Sequence, residues 1–294
     1  MSELIKRHIE DFYSQHEKQI LVSHPGLSQQ RLCDDICDYI NPYLISALDE
    51  WAILPKVKFA LAQILSGIPI QYVVAQTYFY DGLFYVDSEV LIPRFETEIL
   101  VEEAVKFARK LTRSKDDVLQ IADVGTGSGC ILLSFLKAMS SRCEAMALDI
   151  SMPALEVAKK NYRRYRYNIQ CETKIVFVQN DRLEGISRQF DLILSNPPYI
   201  KMEMDKELVH KNVAKYEPHQ ALFIGDSNYQ DWFIKFFNQV KECLLPRGLF
   251  IMEGHERHLE ELFQLALQLG FEGEILKDYN NQNRFLKLVH STRK

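Results

Sequence analysis

The chain is predicted to fold as an α/β protein, an open and mostly parallel sheet with helices on both faces, preceded by a small helical bundle. Three observations lead there. From about residue 118 onward, short apolar strand-like runs alternate with helical stretches, the pattern of parallel strands joined by crossover helices. Up to about residue 70 the apolar residues recur at helical spacing. Between these regions, residues 72–92 are rich in β-branched and aromatic side chains around Asp81-Gly82, a favoured hairpin turn. The expected organisation is a helical substrate-recognition domain over 1–71, a β-hairpin linker over 72–95 and an α/β domain over 96–294.

In the first region Leu32, Ile36 and Ile40 follow Ser28, a suitable helix cap, and Val57, Ala60, Leu61, Ile64 and Leu65 form the stripe of a second helix stopped by Gly67 and Pro69. After Pro93 a helix is expected from near Thr97, burying Val101, Ala104, Val105 and Ala108. Strands are expected at 118–124, 144–150, 174–178 and 190–195, with helices from about 129 and from Pro153. Two more strands should contain Ile251 and Phe285, with a helix from Leu259 to Leu269 before the second.

Composition narrows the function. With 294 residues, 47% hydrophobic and 26% charged, the chain can bury one large core and a smaller one. A net charge of only -5 supplies no global positive field, so direct nucleic-acid binding is not expected. The one dense basic run, Lys159, Lys160, Arg163, Arg164 and Arg166, reads as a solvated helix face. Cysteines 33, 37, 130, 143, 171 and 243 form no CxxC pair, and no zinc pattern accompanies them, so no metal is expected and free thiols in a reducing cytoplasm are. Charges at Glu3, Lys6, Arg7 and Glu10 argue against a signal peptide, and no run of apolar residues is long enough for a membrane span.

The chemistry lies at three strand ends. Asp123-Val-Gly-Thr-Gly-Ser-Gly129 follows an apolar strand and opens an apolar helix. Gly125, Gly127 and Gly129 permit turns closed to other residues, and with Thr126 and Ser128 they let a ligand approach backbone N–H groups at a helix start. Asp149 ends the following strand, 20 residues beyond Gly129, where its carboxylate can accept both hydroxyls of a ribose. A nucleoside cofactor is implied, either NAD or S-adenosylmethionine. Cys130 stands where the dinucleotide fingerprint needs a third glycine, which favours the smaller methionine moiety over a pyrophosphate. Asp181 and Arg182, past the third strand, fall where an adenine would lie.

After the fourth strand comes Asn196-Pro197-Pro198-Tyr199. Two prolines stiffen the loop and turn carbonyls outward. The Asn196 carbonyl and a backbone carbonyl could accept both N–H bonds of a planar amide or aromatic amine, orienting its nitrogen toward an electrophilic methyl and stabilising the charge that develops. Tyr199 offers a flat wall for stacking. An adenine N6 or guanine N2 amino group is also a planar amine, so a nucleic-acid methyltransferase is the alternative, one that needs a positive surface or a base-receiving insert.

These elements, with Val90-Leu-Ile-Pro-Arg-Phe-Glu-Thr-Glu98 upstream and Tyr216-Glu217-Pro218 downstream, resemble the PrmC/HemK family of release factor glutamine methyltransferases over about residues 65–290. The resemblance implies a class I methyltransferase fold, Rossmann-like, with a mostly parallel seven-stranded sheet. It implies S-adenosylmethionine as cofactor, and as partner and substrate class I peptide chain release factors, methylated on the glutamine of their Gly-Gly-Gln motif. Gly125 to Gly129, Asp149, Arg182 and Asn196 would then contact the cofactor, Asn196 to Tyr199 the glutamine, and Arg94 and Glu96 the substrate mouth. Two departures stand out: Phe95 replaces the family's usual second proline, and Gly225-Asp226-Ser227-Asn228 replaces a Gly-x-Asp-Gly run.

Overall fold

A computed structural model describes residues 3–44, 53–111, 117–170 and 172–290, which form two compact units. Cys171 lies outside the described residues, and the side chains of 42–44 are not described.

The first unit comprises residues 1–76, 86–88 and 209–217. Its helices are α1 (Glu3–Ser23), α2 (Gln29–Leu44), α3 (Leu54–Leu65) and a single turn, α4 (Ile70–Val73). Their apolar stripes meet in one core of Ile5, Ile9, Leu32, Ile36, Val57 and Leu61, among others. Ser28 caps α2 through its hydroxyl, which accepts the Arg31 N–H at 3.2 Å, and Gly67, at φ 92, ends the α3 region. Cys33 is buried in this core and Cys37 half-buried, as small apolar residues.

The second unit begins with the hairpin strands β1 (Thr77–Phe79) and β2 (Gly82–Phe84), which bury Phe79 and Phe84 in its core. Phe79 pairs with Gly82, so the two-residue turn is Tyr80-Asp81, one residue earlier than the Asp-Gly dipeptide indicates, and only six residues of the expected 72–92 stretch are strand. The reason is long-range. A Cβ at position 82 would come within 2.8 Å of the Tyr165 hydroxyl, so the glycine is needed for packing, and Tyr80 takes the positive φ of 57° instead.

Next come α5 (Glu98–Leu111), β3 (Val118–Val124), α6 (Cys130–Lys137), β4 (Arg142–Asp149), α7 (Met152–Tyr165), β5 (Thr173–Gln179) and β6 (Phe190–Ser195). A short excursion holds β7 (Ile200–Lys201), α8 (Lys211–Tyr216), α9 (His219–Leu222) and β8 (Phe223–Ile224), of which α8 belongs to the first unit. The chain closes with α10 (Tyr229–Cys243), β9 (Leu244–Glu253), α11 (Leu259–Gln268), β10 (Phe271–Lys277) and β11 (Asn283–His290).

Seven strands form one sheet in the order β10-β11-β9-β6-β3-β4-β5. The five from β9 to β5 are parallel, β11 runs antiparallel to them, and the edge strand β10, antiparallel to β11, takes their direction again. Parallel strands buried on both faces are apolar on both, and the pleat sorts them: Leu119, Ile121, Leu192, Leu194 and Ile251 join the core under α5 and α6, while Ala122, Val124, Ile193, Phe250 and Met252 join the core under α10 and α11. Val101, Ala104, Val105 and Ala108 of α5 are all buried. The unexpected strand is β10, Phe271-Glu-Gly-Glu-Ile-Leu-Lys277, whose charged and mostly exposed edge shows little apolar alternation.

Gly82→Ala should therefore lower stability by about 1 to 3 kcal/mol, the cost of overpacking against the Tyr165 and Phe84 rings. Chemical unfolding of the variant at wild-type stability would show that the hairpin can shift to make room.

Candidate active site

The residues singled out in the sequence converge because the parallel strands end on one side of the sheet. Val124 pairs with Leu148 on one side and Ser195 on the other, and Ser195 pairs with Met252, so β4, β3, β6 and β9 finish side by side. Between β3 and β6 the strand order reverses direction, the place where open α/β sheets carry their ligand crevice. A cavity of about 480 Å³ opens there. It is lined by Gly125, Thr126, Gly127 and Ser128 after β3, Asp149 on β4, Asp181 and Arg182 after β5, and Asn196, Pro197 and Pro198 after β6.

Gly125, Gly127 and Gly129 have φ of 71°, 53° and 77°. The three do different work. A Cβ on Gly125 or Gly127 would meet nothing nearer than 3.9 Å, so these two leave open space over the backbone, whereas one on Gly129 would press on Ala158 at 3.3 Å. Gly129 lets α6 pack against α7 and lies outside the cavity lining. Thr126 holds the turn, its N–H donating to Leu148 O at 2.8 Å and its hydroxyl to Asp123 Oδ2 at 2.7 Å. Asp149 Oδ2 accepts the Gly127 N–H and its Oδ1 the Ser151 N–H, each at 2.9 Å. Each oxygen keeps a further lone pair for a hydroxyl.

Asp181 and Arg182 are not a loose surface pair. Arg182 grips both Asp181 oxygens at 2.9 Å, donates to Trp232 O at 3.0 Å and lies 4.6 Å from the Trp232 ring centre. The grip holds the Asp181 carboxyl below its usual range. Arg182 adopts φ 54°, a strained conformation for a non-glycine residue that places its backbone and side chain on the cavity wall beside Trp232.

At the Asn-Pro-Pro-Tyr corner, Asn196 Nδ2 donates to Thr97 Oγ1 at 3.3 Å, and its Oδ1 is buried without a hydrogen-bond partner. Pro197 and Pro198 line the cavity, but Tyr199 does not. Its ring packs on the α10 side of the core, its hydroxyl donates to Glu253 Oε1 at 2.9 Å, and its carbonyl accepts the Tyr229 hydroxyl at 3.2 Å. Arg94 and Glu96 also lie outside the lining; the charge of Arg94 acts on Tyr199 and that of Glu96 on Glu253.

Comparison with known proteins agrees with this geometry. Residues 102–222 match the family model of the methyltransferase small domain. The release factor glutamine methyltransferase of Flavobacterium psychrophilum is 37% identical over 230 residues, covering 77% of this chain and 73% of that protein. That of Chlorobaculum tepidum is 30% identical over 279 residues, covering 92% and 88%. The chain belongs to the release factor glutamine methyltransferase family. Among solved structures, the hMettl16 catalytic domain in complex with MAT2A 3′UTR hairpin 6 shares the fold at a TM-score of 0.51 and 16% identity, covering 72% of this chain and 75% of that one.

For this family member, several site residues had no signal in the sequence. Thr97 and Glu253 touch across 156 positions and were invisible as a pair. Asp205 and His258, joined at 2.7 Å and both buried, brace the turn after the corner, where Asp205 also accepts the Lys201 N–H at 3.3 Å. The altered Gly225-Asp226-Ser227-Asn228 loop has a structural part to play: Asp226 accepts the N–H groups of Glu203 and Met204 at 3.0 and 3.1 Å, closing the same excursion. In the sequence Asp123 marks only the start of the glycine motif. It is fully buried, and its Oδ1 has no partner.

Burial, aided by the Asp149 charge and opposed by the Thr126 hydrogen bond, raises the Asp123 carboxyl to about 7. The unfolded chain releases this proton near the ordinary carboxylate value, so between that value and pH 7 the folded state holds one proton more. Stability contributed here is present at low pH, falls as pH rises toward 7 and levels off above it. Between pH 5 and 8 the wild type should lose about 2 to 3 kcal/mol that Asp123→Asn does not lose, read from urea unfolding at both values. Parallel pH dependence in the two proteins would refute the assignment.

Proposed function

We propose that this protein methylates the side-chain amide of the glutamine in the Gly-Gly-Gln motif of class I peptide chain release factors, with S-adenosylmethionine as the methyl donor. The observation that carries the reading is the buried, unpartnered Asn196 Oδ1 set beside the glycine turn of the neighbouring strand. A buried carbonyl oxygen without a partner is costly, and a ligand N–H placed there removes the cost.

The cavity fits the cofactor in kind. Open backbone at Gly125 and Gly127 suits a carboxylate and ammonium approaching closely. Asp149, fixed by two backbone donors, suits the ribose hydroxyls, and Asp181, Arg182 and Trp232 form the wall for the base. When bound, S-adenosylmethionine supplies an electrophilic methyl carbon on a sulfonium. The protein's own part is to hold the substrate nitrogen. Asn196 Oδ1, with a loop carbonyl, accepts the amide N–H bonds and so aims the poorly nucleophilic nitrogen and stabilises the positive charge that grows on it as the N–C bond forms. The proton then leaves the nitrogen for solvent, and no strong base is required beforehand. The reading assigns Pro197 and Pro198 to keeping the corner rigid, Tyr199 to anchoring it from behind, and Arg94 and Glu96 to the mouth. The helical unit, with a core of its own, is assigned to recognising the body of the protein substrate.

Two measurements test this. Asn196→Ala should leave cofactor affinity nearly intact and lower turnover by about 100-fold or more, the scale of a lost transition-state contact. Asp149→Ala should instead weaken cofactor binding by calorimetry. To identify the acceptor, labelled S-adenosylmethionine is offered separately with release factor, tRNA, rRNA and DNA; label in release factor glutamine supports the proposal, and label in a nucleic acid overturns it.

A further inference from the structure

Asn196 is useful to an amide substrate in only one of its two flip states. With Oδ1 toward the cavity it accepts a substrate N–H; with Nδ2 there it would meet the amide with like donors. What sets the flip lies behind it. Asn196 Nδ2 donates to Thr97 Oγ1 at 3.3 Å, Thr97 Oγ1 donates to Glu253 Oε2 at 2.5 Å, and the Tyr199 hydroxyl donates to Glu253 Oε1 at 2.9 Å. Thr97 and Glu253 are 2% and 1% exposed, so water does not compete for these bonds.

The chain of bonds has a forced direction. An ionised carboxylate only accepts, so Thr97 commits its single proton to Glu253 and its oxygen can only accept from Asn196. Asn196 must then turn its amide nitrogen to Thr97, which leaves Oδ1, buried and unpartnered on a residue of the cavity lining, as the acceptor free for a ligand.

We infer that Glu253, acting through Thr97, is a positioning residue that fixes the flip of the Asn196 amide and thereby favours a nitrogen that still carries hydrogens over an oxygen at the reacting position. The inference rests on the proposed role of Asn196 and extends it to two residues outside the corner. Protonation of Glu253 on Oε2 would reverse the chain: Glu253 donates to Thr97, Thr97 donates to Asn196, and Nδ2 turns to the cavity. Around Glu253 stand Thr97, Tyr199, Glu96 before α5 and Arg284 on β11, with Arg94 and His255 acting on or packing against Tyr199. Burial, with a contribution from Glu96, raises the Glu253 carboxyl above its usual range, against the hydrogen bonds and Arg284, which lower it. The reversal therefore belongs to the acid limb of the pH profile.

The test is steady-state methylation of release factor by the full chain, with cofactor affinity followed by calorimetry. Glu253→Gln is isosteric but cannot ionise and can turn either its oxygen or its nitrogen to Thr97; it should lose the acid limb expected of wild type and leave cofactor affinity within about twofold. Thr97→Val, which removes the relay, should lower kcat by about 10-fold or more with cofactor affinity within about twofold, and Thr97→Ser, which restores it, should recover most of the lost rate. If Glu253→Gln does not fold, the Val and Ser pair decides alone. The double variant Asn196→Ala with Glu253→Gln should be no slower than Asn196→Ala, because both act at one point. Wild-type kcat in Thr97→Val, an acid limb retained in Glu253→Gln, or losses that multiply in the double variant would overturn the inference while a crippled Asn196→Ala keeps the reading of the corner. Normal turnover in Asn196→Ala would remove both.

Discussion

Ser195 ends β6 and donates its hydroxyl to the Val124 carbonyl at the end of β3, 2.8 Å away and fully buried. This bond, together with the ladder that pairs Val124 with Ser195, closes the seam where the sheet changes direction. Everything chemical in the molecule is measured from that seam. The glycine turn leaves it on one side and the Asn-Pro-Pro-Tyr corner on the other, and a Cβ added to Gly125 would lie 3.9 Å from the Asn196 carbonyl oxygen. Two backbone segments so close cannot both carry bulky side chains toward the gap, and the sequence places glycine on one and proline on the other. At the seam the crevice stays open because a Cβ at Gly125 or Gly127 would meet nothing nearer than 3.9 Å.

The second constraint is how firmly the carboxyls in and behind that crevice are held. Asp123 and Glu253 are buried carboxyls raised above their usual range by desolvation, while Asp181 is held down by Arg182. The carboxylates most exposed to a ligand, Asp149 and Asp181, are already oriented by backbone or guanidinium donors. Their remaining lone pairs are therefore fixed in direction, which lowers the cost of reorganisation when a hydroxyl or amine arrives. Asn196 is treated the same way through Thr97. A neutral amide substrate is suited to such a site because it presents donors to fixed acceptors and brings no charge that must be desolvated.

How much of this was legible depended on the range of the interaction. The parallel strands are legible because burial on both faces leaves mostly apolar runs such as Val118–Val124 and Phe190–Ser195, and the helices because α5 and α3 keep a single apolar stripe. The glycine turn and the corner were legible for the same reason: their residue types are dictated by backbone conformation at a strand end. The hairpin turn was misplaced by one residue because the Asp-Gly pair is a local signal, whereas Gly82 answers to Tyr165, which lies far along the chain. Strand β10 was missed because an edge strand has only one neighbour to bury against and its Glu-Gly-Glu run looks like a loop. The Thr97–Glu253 contact, spanning 156 residues, leaves no periodic trace.

The basic run on α7 shows how the same reasoning separates a protein substrate from a nucleic acid. A surface that binds phosphates must keep its cations free and aligned. Here Lys159 pairs with Glu156 at 2.7 Å, Lys160 lies 3.0 Å over the Tyr85 ring, and Arg164 and Arg166 lie 6.0 and 4.5 Å from the rings of Tyr165 and Tyr167. A phosphate would have to displace these partners, giving up about 0.5 to 1 kcal/mol at each exposed cation–π contact before gaining any counterion release. With a net charge of -5 the chain supplies no background field to offset that loss. The shared chemistry of the corner admits adenine as readily as glutamine, so discrimination between them falls to the surface, and in this basic run four of the five cations already have a partner in the fold.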